Sequence, residues 1–374
     1  MITCTVVLVT AAVILGFVLK NQVRENPDKN TVNVAIGQWG TTQNESQNYW
    51  NPDNHAVAKG MGGYYFIQTT DGISKIAFFD ETTQEAVAVC AKPECTHSDN
   101  TCNAYLCDMK QTGSALYLTD TIYCYNGYLY LIQCEGGMGK LVRIHTDGSA
   151  RETIADLFAN TGVSSISLVF HENDVYAYDD TGHAGQEEEA EEVIKKISLT
   201  DGTEQTVFSY TGTGASIDRG RSFGDKLYFV IREYTKNKET KAVSSDYKGL
   251  FEYDFATGDT RKVIDADVCD YHADTENQTL FYFVQGTGLY AYDMTQGSNT
   301  LIYPAEDELI QCKMSYDGKN LYLFNNGAGR ATETKTRTQR YCYVLDTKGN
   351  QIAKILCNGV VYFCLLYTSP SPRD

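Results

Sequence analysis

Six times between Asn54 and Leu356 the chain repeats one layout. A tight turn leads into a strand rich in Leu, Tyr and Phe; a second strand ends in a turn bearing Asp or Gly, and another short strand follows. The first turn and its strand read Gly62-Gly63-Tyr64-Tyr65-Phe66, Asn126-Gly127-Tyr128-Leu129-Tyr130 and Asn173-Asp174-Val175-Tyr176. They recur as Gly224-Asp225-Lys226-Leu227-Tyr228, Asn277-Gln278-Thr279-Leu280-Phe281 and Asp317-Gly318-Lys319-Asn320-Leu321-Tyr322. The second turn falls at Phe79-Asp80, Thr146-Asp147-Gly148, Thr200-Asp201-Gly202, Asp254 to Gly258, Asp293 to Gly297 and Asp346 to Gly349. Asn-Gly and Asp-Gly supply the positive φ that a tight hairpin demands. Two hairpins per copy make a four-stranded sheet, and serial four-stranded sheets predict an all-β fold, a β-propeller. Six blades are complete. The interval from Asp346 to the next turn-like pair, Asn358-Gly359, is about half of that from Asp254 to Asn277, too short for an outer and an inner strand. Cys357 to Phe363 therefore reads as the start of a further, truncated blade, with a six-bladed closure using only a few lost residues as the second reading.

Both ends separate from this fold. Residues Cys364 to Asp374 read CLLYTSPSPRD, the in-frame translation of a transposase-type sequencing adapter, and 364–374 are set aside as a non-native tail. Ile2 to Leu19 is an uncharged apolar run. A membrane-spanning helix needs roughly 17–25 such residues, so 1–20 reads as a transmembrane signal anchor. The only cysteine there, Cys4, lies at the start of the apolar stretch and not after it, which speaks against a lipoprotein signal. Residues 21–53, rich in Asn, Gln, Asp and Thr, form a polar stalk, and 54–363 the propeller. Lys20, Arg24 and Lys29 follow the run and nothing basic precedes it, which by charge alone would leave the propeller inside.

Cysteine content decides for the outside. Without Cys4 and Cys364, ten of the 12 cysteines remain. That number in one domain is common in oxidising compartments and unusual in a reducing cytosol. The expected location is the cell membrane, single-pass, with the propeller extracytoplasmic. Lys plus Arg total 31 against 48 for Asp plus Glu, a formal net charge of −17. Nucleic acid is excluded as a partner, because binding phosphates requires a basic surface.

The densest chemistry is Cys90-x4-Cys95-x-His97-x4-Cys102-x4-Cys107. Two disulfides stapling a long loop are the first reading, a tetrahedral zinc site, without the usual C-x2-C pairs, is the second, and unpaired thiols are the third. No other cofactor is expected. Cys269 and Cys312 occupy equivalent innermost strands of successive blades, so a bridge between them is geometrically conceivable; Cys124, Cys134, Cys342 and Cys357 show no obvious mates. This cluster resembles one found in uncharacterised exported bacterial propeller proteins, a resemblance that implies no established activity. Met314-Ser315-Tyr316-Asp317-Gly318-Lys319-Asn320-Leu321-Tyr322 resembles the S-P-D-G-K repeat of TolB-like β-propellers, with Tyr316 in place of the usual Pro. It covers one blade closely, supports the fold and implies nothing about a ligand.

Long polar connections between hairpins, Asp179 to Glu192, Glu233 to Lys248 and Asn325 to Arg340, are expected on one face of the propeller. The between-blade segment Ala91 to Ser114, with the cysteine cluster, is expected on that same face and would define its functional surface. Long loops in compact domains are usually functional or disordered. One connection carries an acidic block, Glu187, Glu188, Glu189, Glu191 and Glu192; the others carry Lys236, Lys238, Lys241, Lys335, Arg337 and Arg340. Solvated tips account for such charge runs equally well.

The sequence contains no G-x-S-x-G, H-E-x-x-H or G-x-x-x-x-G-K. Asp265-x-Asp267-x-x-Asp270 lacks the ligand spacing and glycine of a calcium loop. His55, His145, His171, His183 and His272 are dispersed. The expected function is a membrane-anchored binding or scaffold module taking a peptide, glycan or protein partner on the long-loop face. The alternative is a hydrolase or lyase with a site over the central channel, which would require Arg219, Arg221 and His272 to gather with acidic groups in one central pocket.

Overall fold

A computed structural model describes residues 57–108, 122–159, 166–179, 188–236, 239, 243–325 and 340–357. Every named element is a β-strand, and the strands fall into six antiparallel sheets ordered along the chain. The first contains β1 (Val57–Gly60), β2 (Gly63–Thr70), β3 (Ile73–Asp80), β4 (Ala86–Ala88) and β5 (Tyr105–Asp108). The second contains β6 (Tyr123–Tyr125), β7 (Tyr128–Glu135), β8 (Met138–His145) and β9 (Arg151–Ala159), and the third β10 (Ile166–His171), β11 (Asp174–Asp179), β12 (Glu189–Ser198) and β13 (Glu204–Thr213). The fourth holds β14 (Ser216–Phe223), β15 (Lys226–Lys236), β16 (Val243–Asp254) and β17 (Thr260–Ile264). The fifth holds β18 (Val268–Asp274), β19 (Thr279–Val284), β20 (Gly288–Asp293) and β21 (Ser298–Pro304). The sixth is β22 (Lys313–Tyr316), β23 (Asn320–Phe324), β24 (Tyr341–Asp346) and β25 (Gln351–Leu356). Six blades are thus present, as the repeats predict. The apolar run Ile2–Leu19, the stalk 21–53 and the tail 364–374 lie outside the described residues, among which no helix is long and apolar enough to cross a membrane.

Turn chemistry fixes each sheet locally. Asn126 and Gly127 carry φ of 47° and 80°, the paired left-handed residues of a two-residue hairpin. At the other hairpin, an acidic residue ending the third strand folds back on the backbone. Asp80 Oδ1 accepts from the N–H of Thr82 and Thr83, Asp254 Oδ1 from Ala256 and Thr257, and Asp293 Oδ1 from Thr295 and Gln296. Ser198 Oγ plays the same part in the third blade, towards Thr200 and Asp201. These local bonds satisfy backbone donors that the sheet leaves open at its end.

The core lies in the seams between blades. Ile76 of the first blade packs with Leu129 and Val142 of the second. Tyr125 and Tyr130 of the second pack with Phe170 and Val175 of the third, and Ile194 of the third with Phe229 and Ile231 of the fourth. One cluster runs through the fourth, fifth and sixth blades. Burial falls from the inner strand outwards: every residue of β18 is buried, whereas most of β21 and β25 is exposed. A blade alone could bury neither face of its sheet, so stacking neighbours supplies the stabilising apolar contact.

Innermost strands are also locked by charge. β14 bulges between Asp218 and Arg221, where Arg219 sits at φ 57° and Gly220 donates its N–H to Tyr178 Oη at 2.7 Å. The bulge turns both arginines onto Asp270 of β18: Arg221 Nη2 lies 3.0 Å from Oδ1 and Arg219 Nη1 3.4 Å from Oδ2. Asp270 also accepts from the N–H of Met314 in the sixth blade, at 2.7 Å. Arg232 joins through Asp218 at 3.4 Å. Asp270 is fully buried, and removing one partner of such a buried pair costs roughly 3–5 kcal/mol.

Two expectations about connections are corrected. The acidic block placed in a loop from Asp179 to Glu192 is partly strand: β12 begins at Glu189, and Glu192 is buried. Likewise β15 and β16 extend the hairpin expected to open at Glu233 and close at Lys248, pairing Glu233 with Asp246 and Lys236 with Val243. Glu187, Lys238, Lys241, Lys335 and Arg337 lie outside the described residues.

Candidate functional site

The cysteine segment is an excursion within one outer strand, not a connection between blades. β4 pairs with β3 at Ala77–Phe79, and β5 returns to the same edge at Ile73–Lys75. Ile76 lies between them and bonds both ends of the excursion: Val89 N–H donates to its carbonyl at 3.0 Å, and its own N–H donates to Ala104 O at 2.9 Å. The ladder therefore continues while residues 90–103 stand out from it.

Within the excursion four donors converge. Cys90 Sγ, Cys95 Sγ, a ring nitrogen of His97 and Cys102 Sγ lie within 4.8 Å of one another. His97 Nδ1 faces Cys102 Sγ at 3.2 Å. Asp99 folds the loop, its Oδ1 accepting from Thr101 N–H at 2.9 Å and from Thr101 Oγ1 at 2.6 Å. Glu94 and His97, on either side of Cys95, hold φ of 59° and 56°, a left-handed conformation uncommon for residues other than glycine. Cys102 is buried, while Cys90, Cys95 and His97 are half-buried. Cys107, the fifth member of the predicted cluster, stays apart in β5, where its thiol hydrogen-bonds with Ser74.

Electrostatics distinguish the thiols. Burial pushes Cys102 up to about 11. Burial also opposes charge on Cys90, but the backbone N–H of Lys92 and the thiols of Cys102 and Cys95 outweigh it and hold Cys90 below the usual thiol value. Burial, with Lys75 nearby, lowers His97, which favours the neutral imidazole. The ten described cysteines form no disulfide.

The loop docks onto the second blade. Ala91 N–H donates to Gly148 O at 3.3 Å and Asn103 Nδ2 to the same oxygen at 2.8 Å. Arg151 of β9 donates to the carbonyls of Asn103 and Tyr105 and to Gln133 Oε1. Gly148 belongs to the short turn beside Asn126-Gly127, since Thr146 N–H donates to Gly127 O at 3.1 Å. The loop therefore lies at the short-turn end, and the expected long-loop face is corrected. The reason is topological: the segment leaves the sheet at β4, next to the Asp80 turn, and returns to the same strand edge. Sequence reasoning missed Gly148, Asn103 and Arg151 as partners. Gly148 was legible only as a turn residue.

Other site candidates are distributed as follows. Cys269 Sγ donates to Cys312 O at 3.7 Å, so the two residues are neighbours across the fifth and sixth blades. Cys342 and Cys357, without mates in the sequence, share one core cluster. Arg219 and Arg221 do meet acidic groups, but in a closed seam: Arg219 is 8% exposed, Arg221 3% and Asp270 0%. His272 adjoins this seam at 1% exposure, packed edge-on against Phe223 and Tyr316. Their geometry braces the blades.

No family model and no curated protein matches the sequence. Solved structures do. Oligogalacturonate lyase from Vibrio parahaemolyticus is 10% identical, with a TM-score of 0.50 over 89% of this chain and 81% of that one. TolB from Acinetobacter baumannii is 12% identical, with a TM-score of 0.39 over 80% of each chain. An oligogalacturonate lyase in complex with manganese is 11% identical, with a TM-score of 0.44 over 78% and 73%. The likeness is one of fold, and the fold is a β-propeller of serial antiparallel sheets.

Proposed function

We propose that this chain is a membrane-anchored, extracytoplasmic propeller that binds a peptide, glycan or protein partner through its long-connection face. The observation that carries this reading is an asymmetry between the two ends of the blades. At one end, Asp80, Asp254 and Asp293 close tight turns on their own backbone. At the other, in three of the six blades, the chain runs long between β11 and β12, between β15 and β16, and between β23 and β24, while the other three close in turns of two or three residues. Rigid sheets with variable loops at one end are the usual arrangement of a recognition surface.

The mouths of these connections are aromatic and charged. Tyr210 Oη donates to Glu233 Oε1 at 2.8 Å, Lys248 pairs with Glu233 at 2.8 Å, and Arg232 stacks over Tyr234 at 4.7 Å. Asn325 and Tyr341 clamp the neck of the third connection by reciprocal backbone and side-chain bonds. Tyrosine and arginine offer large contact area with polar tips, a composition suited to peptides and sugars. The apolar run Ile2–Leu19 supports the tether.

Peptide and glycan arrays probed with the full chain test this reading. Binding is expected, and replacing 180–188, 237–242 and 326–339 with short Gly-Ser turns should weaken it at least about tenfold. Undiminished binding by the shortened chain, or no binding by the intact one, contradicts the proposal.

A further inference from the structure

We propose that Cys90, Cys95, His97 and Cys102 form a structural zinc site that clasps the outer strand of the first blade against the second. The inference is independent of what the propeller binds.

The donor set comes first. Three thiols and one imidazole are the Cys3His complement of a closed tetrahedral zinc site, whereas hard cations such as calcium and magnesium take oxygen ligands. With zinc–sulfur bonds of about 2.3 Å, the sulfurs of a tetrahedral site stand about 3.8 Å apart. The four donor atoms already lie within 4.8 Å of one another, so closure onto a metal requires a contraction of about 1 Å at most.

Backbone design points the same way. Of the two residues that hydrogen-bond Ile76, Val89 directly precedes Cys90 and Ala104 lies two residues after Cys102, so two ligands are held near the fixed ends of the excursion. Cys95 and His97 come from its exposed crown, where Lys92, Pro93, Glu94, Thr96, Ser98 and Asp99 all face solvent. That crown has little apolar surface to bury, and the left-handed Glu94 and His97 turn Cys95 and the imidazole inward. Cross-linking through a metal would hold in place a segment that the hydrophobic effect cannot.

Two staples fit the geometry less well. Three sulfurs share one centre, so a disulfide between any two strands the third, and Cys107 is engaged with Ser74. Charge is consistent as well. On binding, three thiols release three protons to water and become thiolates; with a neutral imidazole and Zn²⁺, the site carries a net −1. Arg151 is within Coulomb reach of Cys102, and Lys75 of His97. Arg151 also holds the loop through Asn103 O, so the cation that balances the site ties it to the second blade.

The test uses the full chain, purified in detergent and fully reduced, titrated first with cobalt(II) chloride and then with zinc chloride. One equivalent of cobalt should give intense sulfur-to-metal charge-transfer bands with tetrahedral d–d absorption, and one equivalent of zinc should abolish them. Mass spectrometry after alkylation should find Cys90, Cys95 and Cys102 shielded by zinc and released by a chelator. His97→Ala should weaken metal affinity at least about tenfold, and Cys134→Ser should leave it unchanged. Absence of charge-transfer bands in the reduced wild-type chain overturns the proposal without reference to the folding of any variant. Non-reduced material in which two of the three cysteines are linked to each other overturns it equally.

Discussion

His272 shows how an inward-facing side chain of β18 couples the fold to pH. Its Nδ1 donates to Ala273 O at 3.1 Å, and its ring stands 4.8 Å from Phe223 and 5.6 Å from Tyr316. Burial, reinforced by the Arg221 guanidinium, pushes the imidazole down to about 3. In the unfolded chain it titrates near 6.5. The unfolded state therefore binds the extra proton between these values. The contribution of this residue is complete above about pH 6.5 and is lost as pH falls towards 3, by at most about 1.4 kcal/mol per pH unit. Urea unfolding between pH 7 and pH 4 should show a shallower loss of stability in His272→Phe than in the wild type. Identical slopes would show that the imidazole is not held neutral.

At the scale of elements, the excursion in the first blade depends on the turn that receives it. Gly148 has φ 74°, and a Cβ there would stand 2.5 Å from the backbone nitrogen of Cys90. Gly127 has φ 80° but open space around its Cβ position. Both substitutions to Ala incur the left-handed penalty, and only Gly148→Ala also collides with the cysteine loop. Gly148→Ala should therefore cost about 1–3 kcal/mol more than Gly127→Ala in chemical denaturation, with faster hydrogen exchange confined to the loop. Equal losses would mean that the loop does not rest on this turn.

Much of this scale was legible in the sequence. Asn126-Gly127, Asp254 and Asp293 announce their turns because the residues involved lie next to one another. Less legible was the return of Tyr105–Asp108 to β3, since four residues carry too little alternation to declare an outer strand. The bulge at Arg219 and Gly220 was hidden for a related reason: its partners, Tyr178 and Asp270, belong to other blades. Cys342 and Cys357 become neighbours only through the register of β24 with β25. The converging cysteines were legible as a cluster, but the seat of the loop on Gly148 depends on a contact between blades.

The whole molecule is a series of seams: apolar between sheets, ionic along the innermost strands, and pinned at the outer edge of the first blade by the cysteine loop. Such seams fix the sheets against one another and supply the rigid frame that a recognition surface requires. On the proposed reading this propeller works outside the membrane. Labelling intact cells that express the full chain with a membrane-impermeant amine reagent, and locating the modified lysines by mass spectrometry, tests it directly. Lys92, Lys262 and Lys348 are exposed on the propeller and should be modified without lysis. Modification of these lysines only after the membrane is broken would place the propeller inside and contradict the account.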